Sequence, residues 1–217
     1  MQTRCFNFTD IAVLNLKNNL SYFAFIFCLL HSLMSLKAQD LHTYPEVISN
    51  EVETALGYFP NLADVQITFK FKSDIKKSTM QAQPSFWSLL KSRNKRSYYI
   101  FISEKFKISD KEFKTIDIPS PILIGWLGHE LGHVMDYQDR GKLNLIWFGI
   151  KYLLFEKHIV EAERVADTYA VNQGMEAYIL KTKDFILNHA DIDEDYKKRI
   201  QKYYLSPEEI MQIVQKR

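Results

Sequence analysis

The chain has 217 residues, of which 47% are hydrophobic, 14% aromatic and 25% charged, which excludes a disordered or low-complexity protein. The formal net charge of +2 originates in residues 1–38, where Arg4, Lys17 and Lys37 stand against Asp10. Taking three from 28 basic residues and one from 26 acidic residues leaves 25 of each in residues 39–217, so no basic footprint for nucleic acid remains.

Residues 1–38 read as a secretory signal or an N-terminal anchor. Lys17 precedes an apolar run from Leu20 to Met34, and Ala38 offers a small residue for cleavage ahead of Gln39 and Asp40. The run falls short of the roughly 20 apolar residues that a spanning helix needs. If the leader is cut, the body is exported; if it is kept, the body is membrane-anchored. Cys5 and Cys28 both lie in the leader. The body therefore has no disulfide and no thiolate, and any metal site must be built from histidines and carboxylates.

In the body, Thr43-Tyr44-Pro45-Glu46 predicts a helix start, with a helix running to about Gly57. Val65 to Phe71 alternates apolar and polar residues, the mark of a strand buried on one face. Ser78 to Gln83 predicts a weaker strand, Ser85 to Lys91 a short helix and Ser92 to Arg96 a basic turn. Tyr98 to Ser103 is the strongest strand pattern in the chain. Beyond Ile118 the pattern turns helical to the end. The expectation is one α+β domain over 39–217: a small mixed sheet with helices in 39–118, then a helical part in 119–217.

Ser120-Pro121 predicts the start of a helix with serine as its cap. That helix contains His129-Glu130-Leu131-Gly132-His133, an HExxH pattern. A spacing of four is about one turn, so both imidazoles leave one face and can grip one ion. Glu130 lies beside them as a general base that is not itself a ligand. Ile124, Leu127, Leu131 and Val134 fall on the opposite, apolar side.

A catalytic zinc normally takes three protein ligands and keeps one open position. Glu163 and Asp167, again four apart in a helical stretch, suit a third ligand and a carboxylate that orients one histidine through its free ring N–H. Gly125, Gly128 and Gly132 form one small-residue stripe and Ala162, Ala166 and Ala170 another, which predicts close contact between the two helices. An elongated HExxHxxGxxH pattern is absent, because Asp136 and Asp139 occupy those positions. Asp139 and His158 remain other possible ligands. His42, His189 and Glu161 carry no motif.

The HExxH pattern with a downstream Glu-x-x-Ala-Asp helix resembles the gluzincin zinc metallopeptidases. It is most similar to the branch of prenyl-protein-processing peptidases and their bacterial stress-response relatives, and to minimal single-domain gluzincins. The resemblance covers about residues 97–175. It implies a zincin-like fold and one zinc per chain on His129, His133 and Glu163. It further implies Glu130 as the catalytic base and acid, and Asp167 as the group that positions a ligand histidine. It also implies that Tyr98 to Ser103 forms a sheet edge on which a peptide substrate adds as a strand. No motif matches the family's transition-state donor; Tyr169, Tyr178, His189 and Arg199 are the candidates. The implied function is an exported zinc metalloendopeptidase. The alternatives are a zinc-binding module without hydrolysis and a membrane-associated structural protein.

Leu143 to Phe155, between the two ligand helices, is rich in large apolar residues but too short to span a bilayer. It predicts either a buried helix or hairpin, or an interfacial patch or lid of Trp147, Phe148, Tyr152 and Phe155 giving peripheral membrane contact. Met175 to Arg217 predicts two or three amphipathic scaffold helices, the last opening at Ser206-Pro207-Glu208-Glu209.

Overall fold

A computed structural model of the chain describes residues 41–73, 75, 78–108, 111–188, 192 and 194–217. The leader, its two cysteines and His189 lie outside the described residues. Among the described residues no helix is long and apolar enough to cross a membrane.

The architecture is α+β. Four strands form one sheet: β1 (His42–Thr43), β2 (Gln66–Lys72), β3 (Met80–Pro84) and β4 (Ser97–Ser103), in the order β1-β2-β4-β3. The first three in that order run parallel, and β3 runs antiparallel to β4 with Ala82 opposite Ile100. Alternation dictates the faces. Ile67 and Phe69 of β2 and Tyr98, Ile100 and Ile102 of β4 are buried, while Gln66 and Lys70 are exposed. A separate hairpin, β5 (Lys105–Ile108) with β6 (Lys111–Lys114), follows the sheet.

This order overturns the expected sheet edge. Tyr98 to Ser103 sits inside the sheet, paired on both sides, and β3 holds the edge. A peptide therefore has no free ladder to join along β4.

Seven α-helices are described: α1 (Ser49–Gly57), α2 (Ser120–Asp139), α3 (Lys142–Leu154), α4 (Glu156–Asn172), α5 (Glu176–Asn188), α6 (Glu194–Tyr203) and α7 (Pro207–Gln215). The expected helix ends at Gly57 as predicted, but its first turn, Glu46–Ile48, is 3₁₀ and the α-helix proper begins at Ser49. Ser85 to Lys91 likewise yields only the 3₁₀ turn Phe86–Ser88, and the basic turn is a second one, Arg93–Lys95. Ser120 is not the cap of α2; Pro119 holds that place, and the Ser120 hydroxyl donates to Glu51 at 2.8 Å. Ser206 does cap α7, in a reciprocal capping box with Glu209.

Helix α2 is the axis of the helical part. Its predicted apolar side, Ile124, Leu127, Leu131 and Val134, is buried, but so is the side that bears His129 and His133. It packs against α1 and β3 on the sheet side and against α4 and α5 on the other. A Cβ at Gly132 would stand 2.2 Å from the Ala166 carbonyl oxygen, so α2 and α4 touch backbone to backbone there, as the two stripes predict. The other glycines serve a different neighbour. Gly125 abuts Thr182 and the Tyr178 carbonyl of α5, and Gly128 abuts Met175.

Candidate metal centre

The backbone approach at Gly132 brings α4 within side-chain reach of the two imidazoles. Glu163 Oε2 stands 3.0 Å from His129 Nε2 and 3.4 Å from His133 Nε2. All three residues are buried, and their donor atoms lie within 4.8 Å of one another. A tetrahedral ion with bonds of about 2.0–2.2 Å separates its ligand atoms by about 3.3–3.6 Å. The observed spacings are close to that edge length, so these residues fit a cation.

The charge balance points the same way. Glu130, Glu163 and Asp167 are three buried carboxylates, and Lys183 is the buried ammonium among them. Buried charge without compensation is costly. Without a cation, a proton must do the work. Burial resists charge on His129, yet the carboxylates of Asp167 and Glu163 outweigh it and push the imidazole up to about 10. Burial also resists charge on Glu163, but hydrogen bonds from His129 and His133 hold its carboxyl well below the usual range. His133 Nδ1 is buried without a partner.

Behind the ligands, His129 Nδ1 meets Asp167 Oδ1 at 2.9 Å, which directs Nε2 toward Glu163. Asp167 is itself fixed by Lys183 Nζ at 2.8 Å and the Leu205 N–H at 3.0 Å. Its own burial resists ionisation, and the Lys183 ammonium and His129 hold it below its ordinary value. Lys183 carries no motif and was not foreseen. The local excess of acids asks for a buried cation, but nothing in the spacing selects this lysine on α5.

Glu130 points to the other side of the histidines. Its Oε2 accepts the Ala82 N–H at 2.6 Å, and the Tyr137 hydroxyl reaches the Ala82 carbonyl at 3.4 Å. The outward groups of the edge strand are thus held by α2 at Ala82. Burial raises the Glu130 carboxyl. Tyr152 of α3 donates to Glu163 Oε1 at 3.1 Å. Burial, followed by the Glu163 charge, pushes this phenol far up, so it stays a donor across the ordinary pH range. Its position in the apolar segment gave no sign of a polar role.

The other named residues lie elsewhere. Asp139 accepts from the Tyr169 hydroxyl, and His158 pairs with Glu161 at 3.1 Å, so neither Asp139 nor His158 joins the cluster. Tyr178 packs edge-on against Tyr58. Arg199 is the exception: it lies over the Tyr203 ring, and its charge pulls down the Tyr152 phenol that donates to Glu163, which brings it near the cluster. His42 is in β1. A cavity beside His129 and Glu130 is lined by Met80, Trp126, Ile179, Ile186, Ile200 and Tyr204. No protein family, curated protein or solved structure matches this chain.

Proposed function

We propose that this chain is an exported zinc-dependent metalloendopeptidase of gluzincin type, with a zincin-like active-site part in α2 and α4. The observation that carries the proposal is the convergence of His129, His133 and Glu163 with Glu130 one residue from the first ligand. Two imidazoles and a carboxylate are a donor set that suits zinc with one position left open. When bound, zinc supplies a Lewis acid that acidifies water and polarises a carbonyl.

The protein's own residues account for the rest. Asp167, held by Lys183 and Leu205, keeps His129 in the tautomer that presents Nε2. Burial raises the Glu130 carboxyl above its ordinary value, which favours a group that takes a proton from the attacking water and passes it to the leaving amine. The Tyr152 hydroxyl is a donor near Glu163 and suits charge that develops on a carbonyl oxygen. The cavity beside Glu130 offers apolar room for a substrate side chain. A peptide would lie along the β3 edge, exchanging bonds with Ala82.

A zinc-binding module without hydrolysis is the second reading, favoured by one contact: the Ala82 N–H already holds one of the two Glu130 oxygens. The experiment measures bound zinc and casein cleavage together, in the native chain and in Glu130→Gln. The peptidase predicts one zinc in both and cleavage in the native chain alone. Zinc without cleavage in either selects the module. Unchanged cleavage in Glu130→Gln removes Glu130 from its role.

A further inference from the structure

Helix α3 is apolar on two opposite faces. At about 100° per residue, Leu145, Phe148 and Tyr152 lie on one side and are buried or half-buried against the protein. Leu143, Ile146, Trp147, Ile150, Leu153 and Leu154 form a second stripe on the far side. That stripe is exposed, Leu143 and Leu153 at 83% and Trp147 at 57%. A soluble surface helix carries polar residues there.

A second apolar projection stands beside it. Phe86, Trp87 and Leu90 are exposed at 72%, 75% and 68% on the segment between β3 and β4. The two segments are joined at the end of α2. Arg93 donates to the Asp139 carbonyl at 2.7 Å, and Arg96 to the Arg140 carbonyl at 2.8 Å, one residue before the Gly141 turn that starts α3.

The sequence of these two segments is one-sided in charge, although Glu161 of α4 lines the same groove as Trp147 and Lys151. Residues 85–96 hold Lys91, Arg93, Lys95 and Arg96, and residues 140–155 hold Arg140, Lys142 and Lys151, with no Asp or Glu in either segment. The rest of residues 39–217 therefore carries 18 of the 25 basic residues and all 25 acids. Of the seven, Arg140 is paired with Asp136, and Arg96 is buried with its guanidinium donating to the Tyr137 and Arg140 carbonyls; the other five have no ion pair among the described residues. Lys151 lies over the Trp147 ring at 5.7 Å. Two exposed tryptophans, aliphatic side chains and unpaired lysines on one surface fit the interface of an anionic bilayer. There indoles and alkyl groups enter the headgroup boundary and ammonium groups meet lipid phosphates.

We infer that the outer face of α3 and the Phe86–Leu90 projection together dock this protein on an anionic lipid surface. The inference stands independently of the peptidase reading. The inner face of the same helix supplies Tyr152 to Glu163, so docking holds the metal centre about one helix diameter, roughly 10–12 Å, from the lipid.

The chain has three tryptophans, Trp87, Trp126 and Trp147, and none in residues 1–38, so fluorescence reads this surface whatever the leader does. The full chain is mixed with vesicles whose acyl chains are brominated near the glycerol, made of phosphatidylglycerol or of phosphatidylcholine. Phosphatidylglycerol should quench Trp87 and Trp147, read separately in Trp147→Phe and Trp87→Phe. The Trp87→Phe/Trp147→Phe chain, which keeps Trp126 alone, should be unquenched. Reversal of Lys91, Lys95, Lys142 and Lys151 to Glu should reduce quenching to that level with circular dichroism unchanged. Quenching of neither tryptophan, of one alone, or equally by both lipids overturns the inference. So does a dimer by light scattering in which both tryptophans are shielded from acrylamide without vesicles, because a second copy then covers the face.

Discussion

At the scale of single residues, Asp167 and Lys183 support the candidate centre from behind the three potential donors. Neither is among the three ligands, but Asp167 sets the His129 tautomer and Lys183 balances Asp167. Asp167→Asn should weaken zinc binding by about 10- to 100-fold, measured by competition with a chelating dye, while the helical circular dichroism stays native. Lys183→Met should weaken it less and destabilise the fold by about 1–3 kcal/mol, since the buried Asp167 carboxylate loses its ammonium partner but keeps His129 and the Leu205 N–H. The proton that stands in for a cation makes a second expectation. His129 is raised from about 6.5 to about 10, so in the metal-free chain its contribution to stability is complete below about 6.5 and is lost as pH rises through 10. Glu163 and Asp167 are depressed, so theirs is present above the ordinary carboxylate range and is lost as pH falls through their lowered values. Any cation that takes His129 Nε2 as a ligand must displace a proton from that imidazole. Calorimetry near neutral pH in buffers of different ionisation enthalpy should show close to one proton released per ion bound; no release would contradict the ion-paired description.

At the scale of elements, the centre depends on how closely α2 can approach α4. Gly132→Val places side-chain atoms where the Ala166 carbonyl lies, so the helices must part. A loss of at least about 1–3 kcal/mol is expected in urea unfolding, together with weaker metal binding. Gly149→Ala is the opposite case: it meets nothing within 4 Å in the interior of α3 and should gain about 0.5–1 kcal/mol. These contrasts explain what was legible beforehand. His129, His133, Glu163 and Asp167 repeat at helical spacing, and local periodicity places each pair on one face without tertiary information. The two small-residue stripes announced the Gly132–Ala166 contact. They did not reveal that Gly125 and Gly128 face α5 and Met175, because a stripe shows closeness and not the partner. Strand order was equally invisible. The apolar pattern of β4 marks a strand with one buried and one half-buried face, and that burial does not tell which strands pair on either side of it. The β5–β6 hairpin went unread although Lys105-Phe106-Lys107-Ile108 alternates, since the surrounding lysines masked so short a pattern.

At the scale of the whole molecule, the described α+β body from Leu41 to Arg217 joins a buried, acid-rich centre to an exposed, apolar and basic surface through the two faces of α3. A ligand that binds only the folded state stabilises it by mass action. Free zinc held at 100 times its dissociation constant should therefore add about 2.7 kcal/mol, seen as a rise in Tm that EDTA reverses. The rise should vanish in Glu163→Ala. The exposed surface gives no such coupling, and charge reversal at Lys142 and Lys151 should leave the zinc-dependent Tm shift intact. The candidate metal centre and the exposed apolar, basic surface would in that sense be separable parts of one fold.

One cation is expected to bind between His129, His133 and Glu163, and X-ray absorption at the zinc edge of the protein loaded with one equivalent tests this binding. The spectrum should show two imidazole nitrogens and a carboxylate oxygen at about 2.0–2.2 Å, with the imidazole scattering reduced by half in His133→Ala. Loading that stays stoichiometric in a chain lacking both histidines, with only oxygen ligands in the spectrum, would contradict it.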